Sequence, residues 1–393
     1  MARQSADFFE LQDEARRGTA RLVFLYLGAV LGVAAALTAV VAAVYAFLIL
    51  YWGGPLPEGL ALDYSRLGRS YFKVLAGAVP RTAYLWTAGG ALATMVAASL
   101  ARMWQLREGG EAVADLLGAR CIERRGATPN EARLLDVVEE MALAARIAAP
   151  PAYVLEREPA INALAAGHSR DEAVIIVTQG ALDKLTRDEL QGVIAHEFSH
   201  ILNGDMQLNV RLLALLYGIA FIGRVGQQLI RAATEGAIGV PRDKQNIAIP
   251  HLLAGLLLAA VGYFGLLAAR FIQAAISRER EYLADAASVQ FTRNPDGIAG
   301  ALDSIVSLRV GSFVWNPLAE EVSHMFCAQG AANALGASFA THPPIEERIR
   351  RVHPRFNRDA YRAARGGLYE QREIAVFDGL GNVIETIVGS ARD

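Results

Sequence analysis

The sequence predicts a mainly α-helical chain with a small β-sheet, an α+β soluble part joined to four membrane helices. Three observations predict it: charge-free runs long enough to cross a bilayer, amphipathic stretches with helix-start signatures between them, and a few short β-branched runs ahead of a histidine-bearing helix. At 393 residues the chain allows two or three domains, and 53% hydrophobic against 20% charged residues is too apolar for an ordinary soluble enzyme. A net charge of −2 and the absence of a basic, aromatic-interleaved run argue against nucleic-acid binding. Cys121 and Cys327 are too few and too scattered for a disulfide framework or a cysteine metal site.

Taken in chain order, residues 22–57 carry no charge, and 22–52 can span a bilayer with tilt. That run is too long and too far from the first residue for a signal peptide. A second span, residues 82–103, closes an amino-terminal membrane hairpin over residues 1–105. Arg16, Arg17 and Arg21 flank the first span and Arg102, Arg107, Arg120, Arg124 and Arg125 follow the charge-free run of the second, which favours a cytoplasmic amino terminus and soluble part against the bias of Arg66, Arg69, Lys73 and Arg81 between the spans.

The soluble part is expected over residues 106–206 together with 277–365. Thr128-Pro129-Asn130-Glu131 reads as a capped helix start, followed by an apolar stripe through Leu134, Val138 and Met141 that ends at Pro150-Pro151. Short strand-like runs follow at residues 153–155, 161–164 and 173–177. Thr186-Arg187-Asp188-Glu189 is a second capping box, and Asn203-Gly204 offers a left-handed stop. Between them lies His196-Glu197-Phe198-Ser199-His200. Residues four apart share a helix face, so His196 and His200 can grip one metal while Glu197 points toward the water it binds. The bland alternative is a buried helix whose histidines bond to carbonyls.

Residues 206–223, interrupted by Arg211 and bounded by Arg224, are short enough for a buried or re-entrant helix. A third metal ligand further along must return to the side that holds His196 and His200, so this segment is expected to pair with residues 245–269 as an inserted membrane hairpin over 207–276. Arg211 then snorkels or faces protein. Beyond it, Glu281 and Asp285 lie four apart on a helix, so that one carboxylate can reach the metal and the other accept a proton from a ligating histidine. Zinc with three protein ligands keeps a fourth position for water, as catalytic sites do. The last residues, 366–393, read as a β-hairpin tail around Asp378-Gly379.

Four ordered motifs, Ile161-Asn162-Ala163-Leu164-Ala165, His196–His200, Ser277–Asp285 and Thr341-His342-Pro343-Pro344 with Arg348, resemble the M48 family of membrane zinc metallopeptidases. The likeness is greatest to the HtpX-like bacterial branch, related to the prenyl-protein endopeptidases. It implies a zincin-like catalytic domain with one Zn2+ per chain, ligands His196, His200 and Glu281, and Asp285 as the supporting carboxylate. Glu279 does not fit the ligand position. The resemblance further implies Glu197 as general base, His342 as donor to the oxyanion, and Asn162, Ala163, Leu164 and Ala165 as an edge strand beside the substrate. It implies polypeptide substrates, unfolded or membrane-embedded, cut at the bacterial inner membrane in quality control, with the bilayer as the other partner. Alternatives are site-specific processing of lipidated or membrane-tethered peptides, and a non-catalytic scaffold with a structural zinc. His168, His251, His324 and His353 are read as structural or surface residues.

Overall fold

A computed structural model describes residues 24, 27–41, 80–235, 245–307, 311–312, 314–315, 322, 325–328, 342–365, 371–377 and 383–390, with side chains described throughout except at 235, 245–251, 266, 268–279 and from 371 onward. The chain falls into two compact units, one holding residues up to Arg102 with Ala214–Ile272, the other Met103–Leu213 with the chain from Gln273 onward.

The first unit contains α1 (Leu27–Val41), most of α2 (Arg81–Gln105), and the apolar parts of α7 (Asp205–Glu235) and α8 (Gln245–Thr292). Its helices meet through small residues. A Cβ on Gly218 would lie 2.1 Å from Ser99 Oγ, which itself donates to the Leu215 carbonyl, and one on Gly262 would lie 2.1 Å from Gly223 Cα. Backbones come this close only because glycine carries no Cβ. Leu85, Trp86, Leu100 and Phe264 point outward.

Of the four membrane helices predicted, the described residues contain two that are long and apolar enough to cross a bilayer, Arg81–Gln105 and Asp205–Thr234. Leu27–Val41 and Leu252–Gly265 are shorter apolar stretches, and much of the 22–52 span lies outside the described residues. The segment expected at 206–223 is instead the core of one 31-residue helix. Its arginines do not end it, because Arg211 is solvent-facing and Arg224 stacks 4.6 Å over the Tyr217 ring.

In the second unit, α3 (Gly110–Leu117) leads into β1 (Arg120–Cys121) and α4 (Pro129–Ala145), then β2 (Ala152–Leu155), β3 (Ala163–Ala166) and β4 (Val174–Thr178). The sheet order is β1-β2-β4-β3, with β2 and β4 parallel and β3 antiparallel at the edge. Next come α5 (Gln179–Lys184), α6 (Arg187–Asn203), the end of α8, α9 (Pro295–Ser307), α10 (Ile345–Val352) and α11 (Arg358–Arg365). The β-branched residues of β4 are buried on both faces, so the sheet is sandwiched in the core with α4, α6 and α9.

Helix α6 is fixed at both ends. The Thr186 hydroxyl accepts from Glu189 N, the Glu189 carboxylate accepts from Thr186 N at 2.7 Å, and Gly204 closes the helix at φ 76°. Glu189 is fully buried, and its charge is met by Arg365 of α11, by Tyr361 Oη at 2.9 Å and by Ser304. α6 and α9 touch backbone to backbone, since a Cβ on Gly192 would stand 2.5 Å from Ile298 N. Beyond α11, β5 (Gln371–Phe377) pairs antiparallel with β6 (Val383–Ser390).

Candidate active site

The inward face of α6 carries His196, Glu197 and His200, and α8 brings Glu281 and Asp285 against it, fastened by a hydrogen bond from Ser288 Oγ to the Gly192 carbonyl. Three side chains converge. His196 Nε2 and His200 Nε2 are 3.2 Å apart, and the Glu281 carboxylate lies 3.7 Å from the first and 3.6 Å from the second. For ligand bonds of about 2.0–2.1 Å a tetrahedral site has edges of about 3.3 Å, so these donors are spaced to hold one ion. Glu281 Oε2 adds a second sign. It is buried 3.1 Å from His342 Nδ1 and 3.3 Å from Arg348 Nη1, aligned as a hydrogen bond to neither. Two imidazoles and a carboxylate are a donor set suited to zinc.

Around these donors stands a shell of charge. His196 Nδ1 is 2.9 Å from Asp285 Oδ1, close but not aligned as a hydrogen bond. Asp285 in turn receives two parallel hydrogen bonds from Arg348, from Nε at 2.8 Å and from Nη2 at 2.7 Å, while Nη1 of the same arginine donates to the Cys327 carbonyl. On the other side, His200 Nδ1 is hydrogen-bonded at 3.0 Å to Asp205, which accepts from Arg280 at 2.8 Å. Burial favours a neutral carboxyl on both acids of α8. The Arg348 charge overrides it at Asp285, and His342 with Arg348 at Glu281, so both are held below the usual carboxylate range. His200 is likewise opposed by burial, but Asp205 and Glu281 hold its pKa well above the ordinary histidine value.

Glu197 differs from all of these. It is 1% exposed and, among the described residues, neither carboxylate oxygen is engaged in an aligned hydrogen bond. Burial, reinforced by the charge of Glu281, raises its pKa against the pull of His196 and His200. A buried carboxylate without a well-aligned donor is costly unless it faces a ligand.

Asn162 is also buried, with its side chain spanning two chain segments. Nδ2 donates to the Ser312 and Ala328 carbonyls, and Oδ1 accepts from the Ala163 and Ala328 amides. β3 is the sheet edge, as expected, but that edge is engaged. Leu164 bridges Phe326 in antiparallel sense, and Cys327 N donates to the Ala163 carbonyl at 2.8 Å. An open strand over Ala163–Leu164 is therefore not what the structure has, because the chain's own backbone satisfies it. Leu164 and Ala165 are buried beside it.

The structure thus brings His196, Glu197, His200, Glu281, Asp285 and His342 together. Sequence reasoning passed over Asp205, although it follows His200 by one short turn, and dismissed Cys327, whose sulfur joins His196 and Glu197 in a set of donor atoms within 4.8 Å of one another. His168 bonds the Leu106 carbonyl through Nε2 and His353 pairs with Asp296, both away from the donor set. His324 and the side chains of His251 and Glu279 lie outside what the structure describes.

The family model described as Peptidase family M48 matches residues 128–355, which hold all these groups. The chain belongs to peptidase family M48. Among curated relatives, the "Protease HtpX homolog" of Streptococcus uberis is 36% identical over 217 residues, covering 55% of this chain and 71% of that protein. The protein of the same name from Caldanaerobacter subterraneus subsp. tengcongensis is 41% identical over 225 residues, 56% of this chain and 70% of its own. A third, from Dictyoglomus turgidum, is 36% identical over 229 residues, 56% and 68% of the two chains. This M48 chain is accordingly a peptidase, and its donor set is a group that can hold a metal ion.

Proposed function

We propose that the protein is a membrane-bound zinc metalloendopeptidase of the HtpX-like branch, acting on unfolded or membrane-embedded polypeptides in protein quality control at the bacterial inner membrane. The observation that carries the chemistry is Glu197, a buried carboxylate with no aligned hydrogen bond among the described residues, beside three converging donors. His196, His200 and Glu281 would hold the ion. When bound, zinc supplies Lewis-acid polarisation of the scissile carbonyl and lowers the pKa of water toward neutrality.

Glu197 takes a proton from the attacking water as its oxygen bonds to the carbonyl carbon, then returns that proton to the amide nitrogen as the C–N bond breaks. A carboxylate lifted by burial toward the working pH suits both transfers. His342 lies beside Glu281 and is assigned the donor role toward the oxygen on which negative charge develops, worth about 2.7–4 kcal/mol per donor in comparable sites. Arg348 transfers no proton in this scheme, and its positive charge keeps Asp285 and Glu281 ionised. Asn162, Ala163, Leu164 and Ala165 form the wall against which substrate backbone lies, and pairing at Ala163 replaces the Cys327 amide bond.

The membrane assignment draws support from Arg81–Gln105 and Asp205–Thr234, both long and apolar enough to cross. A cell fractionation with carbonate extraction tests it, and release of the intact chain by carbonate would contradict it. Substrate breadth is tested with a panel of unfolded proteins beside a prenylated peptide. Cleavage of the peptide alone would replace quality control by site-specific processing.

A further inference from the structure

The two histidines of α6 are supported differently. Behind His196 stand Asp285 and Arg348, both fully buried. Behind His200 stand Asp205, which is buried, and Arg280, whose side chain is 26% exposed. Asp205 does not belong to the ligand helix. It is the first residue of α7, reached through Gly204, whose φ of 76° turns the chain so that the Asp205 carboxylate comes back onto the last turn of α6. Arg280, which holds the other Asp205 oxygen, directly precedes Glu281 in α8.

We propose that Asp205, held by Arg280, is a positioning residue that fixes the ring of His200 for the metal, an inference that rests on the zinc reading above. An imidazole offers a lone pair at Nε2 only when the other nitrogen carries the proton, and a carboxylate accepting from Nδ1 selects that tautomer and sets the ring plane. Asp205 Oδ2 at 3.0 Å from Nδ1 does both, while Nε2 faces Glu281 and His196. The aspartate itself is kept in place twice, by the 2.8 Å bond from Arg280 and by the positive end of the α7 dipole. Glu281, His200, Asp205 and Arg280 therefore close a ring in which one ligand's support is covalently adjacent to another ligand. That support comes from the first turn of a helix apolar enough to cross a membrane, not from the helix that carries the histidines.

The test uses the full chain in detergent as wild type, Asp205→Ala, Asp205→Asn, Arg280→Ala and Glu281→Ala. Zinc affinity is measured by competition with a chromogenic chelator, and circular dichroism of the metal-free proteins checks folding. Asp205→Ala is expected to bind zinc about 10- to 100-fold more weakly than wild type, the loss typical when a carboxylate behind a ligating histidine is removed. Asp205→Asn, which keeps an acceptor oxygen, is expected to lose less, and Arg280→Ala to weaken zinc in the same direction. Proteolysis lost at limiting zinc returns in excess zinc, which a merely unfolded variant would not do. Unchanged affinity in both Asp205→Ala and Arg280→Ala would overturn the inference, and Arg280→Ala alone decides it if the alanine at 205 prevents folding. Zinc binding that Glu281→Ala leaves intact would instead overturn the ligand reading on which it rests.

Discussion

At the scale of single residues, the site is a contrast between acids that are matched and one that is not. Asp285 and Glu281 are buried beside Arg348, whereas Glu197 is buried beside a set of metal donors with its own oxygens unused. The difference dictates what substitutions should do. Glu197→Gln is isosteric and removes only the base, so turnover should vanish while zinc content stays at the wild-type level, as read by metal analysis of both proteins. Arg348→Met should behave otherwise, as a stability defect. It takes away the positive charge and the two hydrogen bonds that hold buried Asp285, which costs about 3–5 kcal/mol, and chemical denaturation would show it as a lower midpoint. A midpoint unchanged from wild type would mean that the pair is not the buried anchor described here. Cys327 is 1% exposed and Cys121 is exposed, so a thiol reagent should label one cysteine in the native protein and two after unfolding.

At the scale of elements, what was legible in the sequence is what is local. Both capping boxes and the glycine stop of α6 are three- and four-residue patterns, and each is present in the structure. Asp205 escaped because the left-handed turn at Gly204 resets the helical phase, so that counting residues along one face stops there. β3 begins at Ala163 and not at Ile161, because Asn162 commits its amide to Ser312 and Ala328 across the sheet edge, a long-range demand invisible to period-two alternation. The Gly192 contact with α9 and the fastening of Glu189 by α11 were likewise beyond reach, since each joins segments far apart in the chain. The α4 cap carries a pH signature. Glu131 accepts from Thr128 N at 2.7 Å and pairs with Arg120, which together hold its carboxyl below the ordinary glutamate value. Its contribution is present in full above the unfolded value of about 4.3 and is lost as pH falls through the lower folded one. Glu131→Gln should lower the unfolding temperature at neutral pH, and the gap to wild type should close in acid. A gap that persists unchanged into acid would contradict the cap's electrostatic origin.

At the scale of the whole molecule, the first unit packs its helices through small residues and the second is a close-packed α+β body, and α2, α7 and α8 each run through both divisions of the chain. The apolar run after Met206 is bounded at Arg224 in the sequence, yet α7 continues to Glu235, because an arginine stacked on a tyrosine ring does not interrupt a helix. His342 meets Glu281 from a segment far along the chain, so its place near the donors could be expected only from family resemblance and never from spacing. Peptidase family, donor geometry and an unpartnered base lead to one central claim, that this chain hydrolyses peptide bonds with Glu197 acting beside a zinc held by His196, His200 and Glu281. The most direct measurement is cleavage of an unfolded protein by the detergent-purified chain, run beside Glu197→Gln with zinc determined on both samples. Cleavage by wild type alone, with both samples metallated, is the predicted result. Equal cleavage by the two proteins would contradict it.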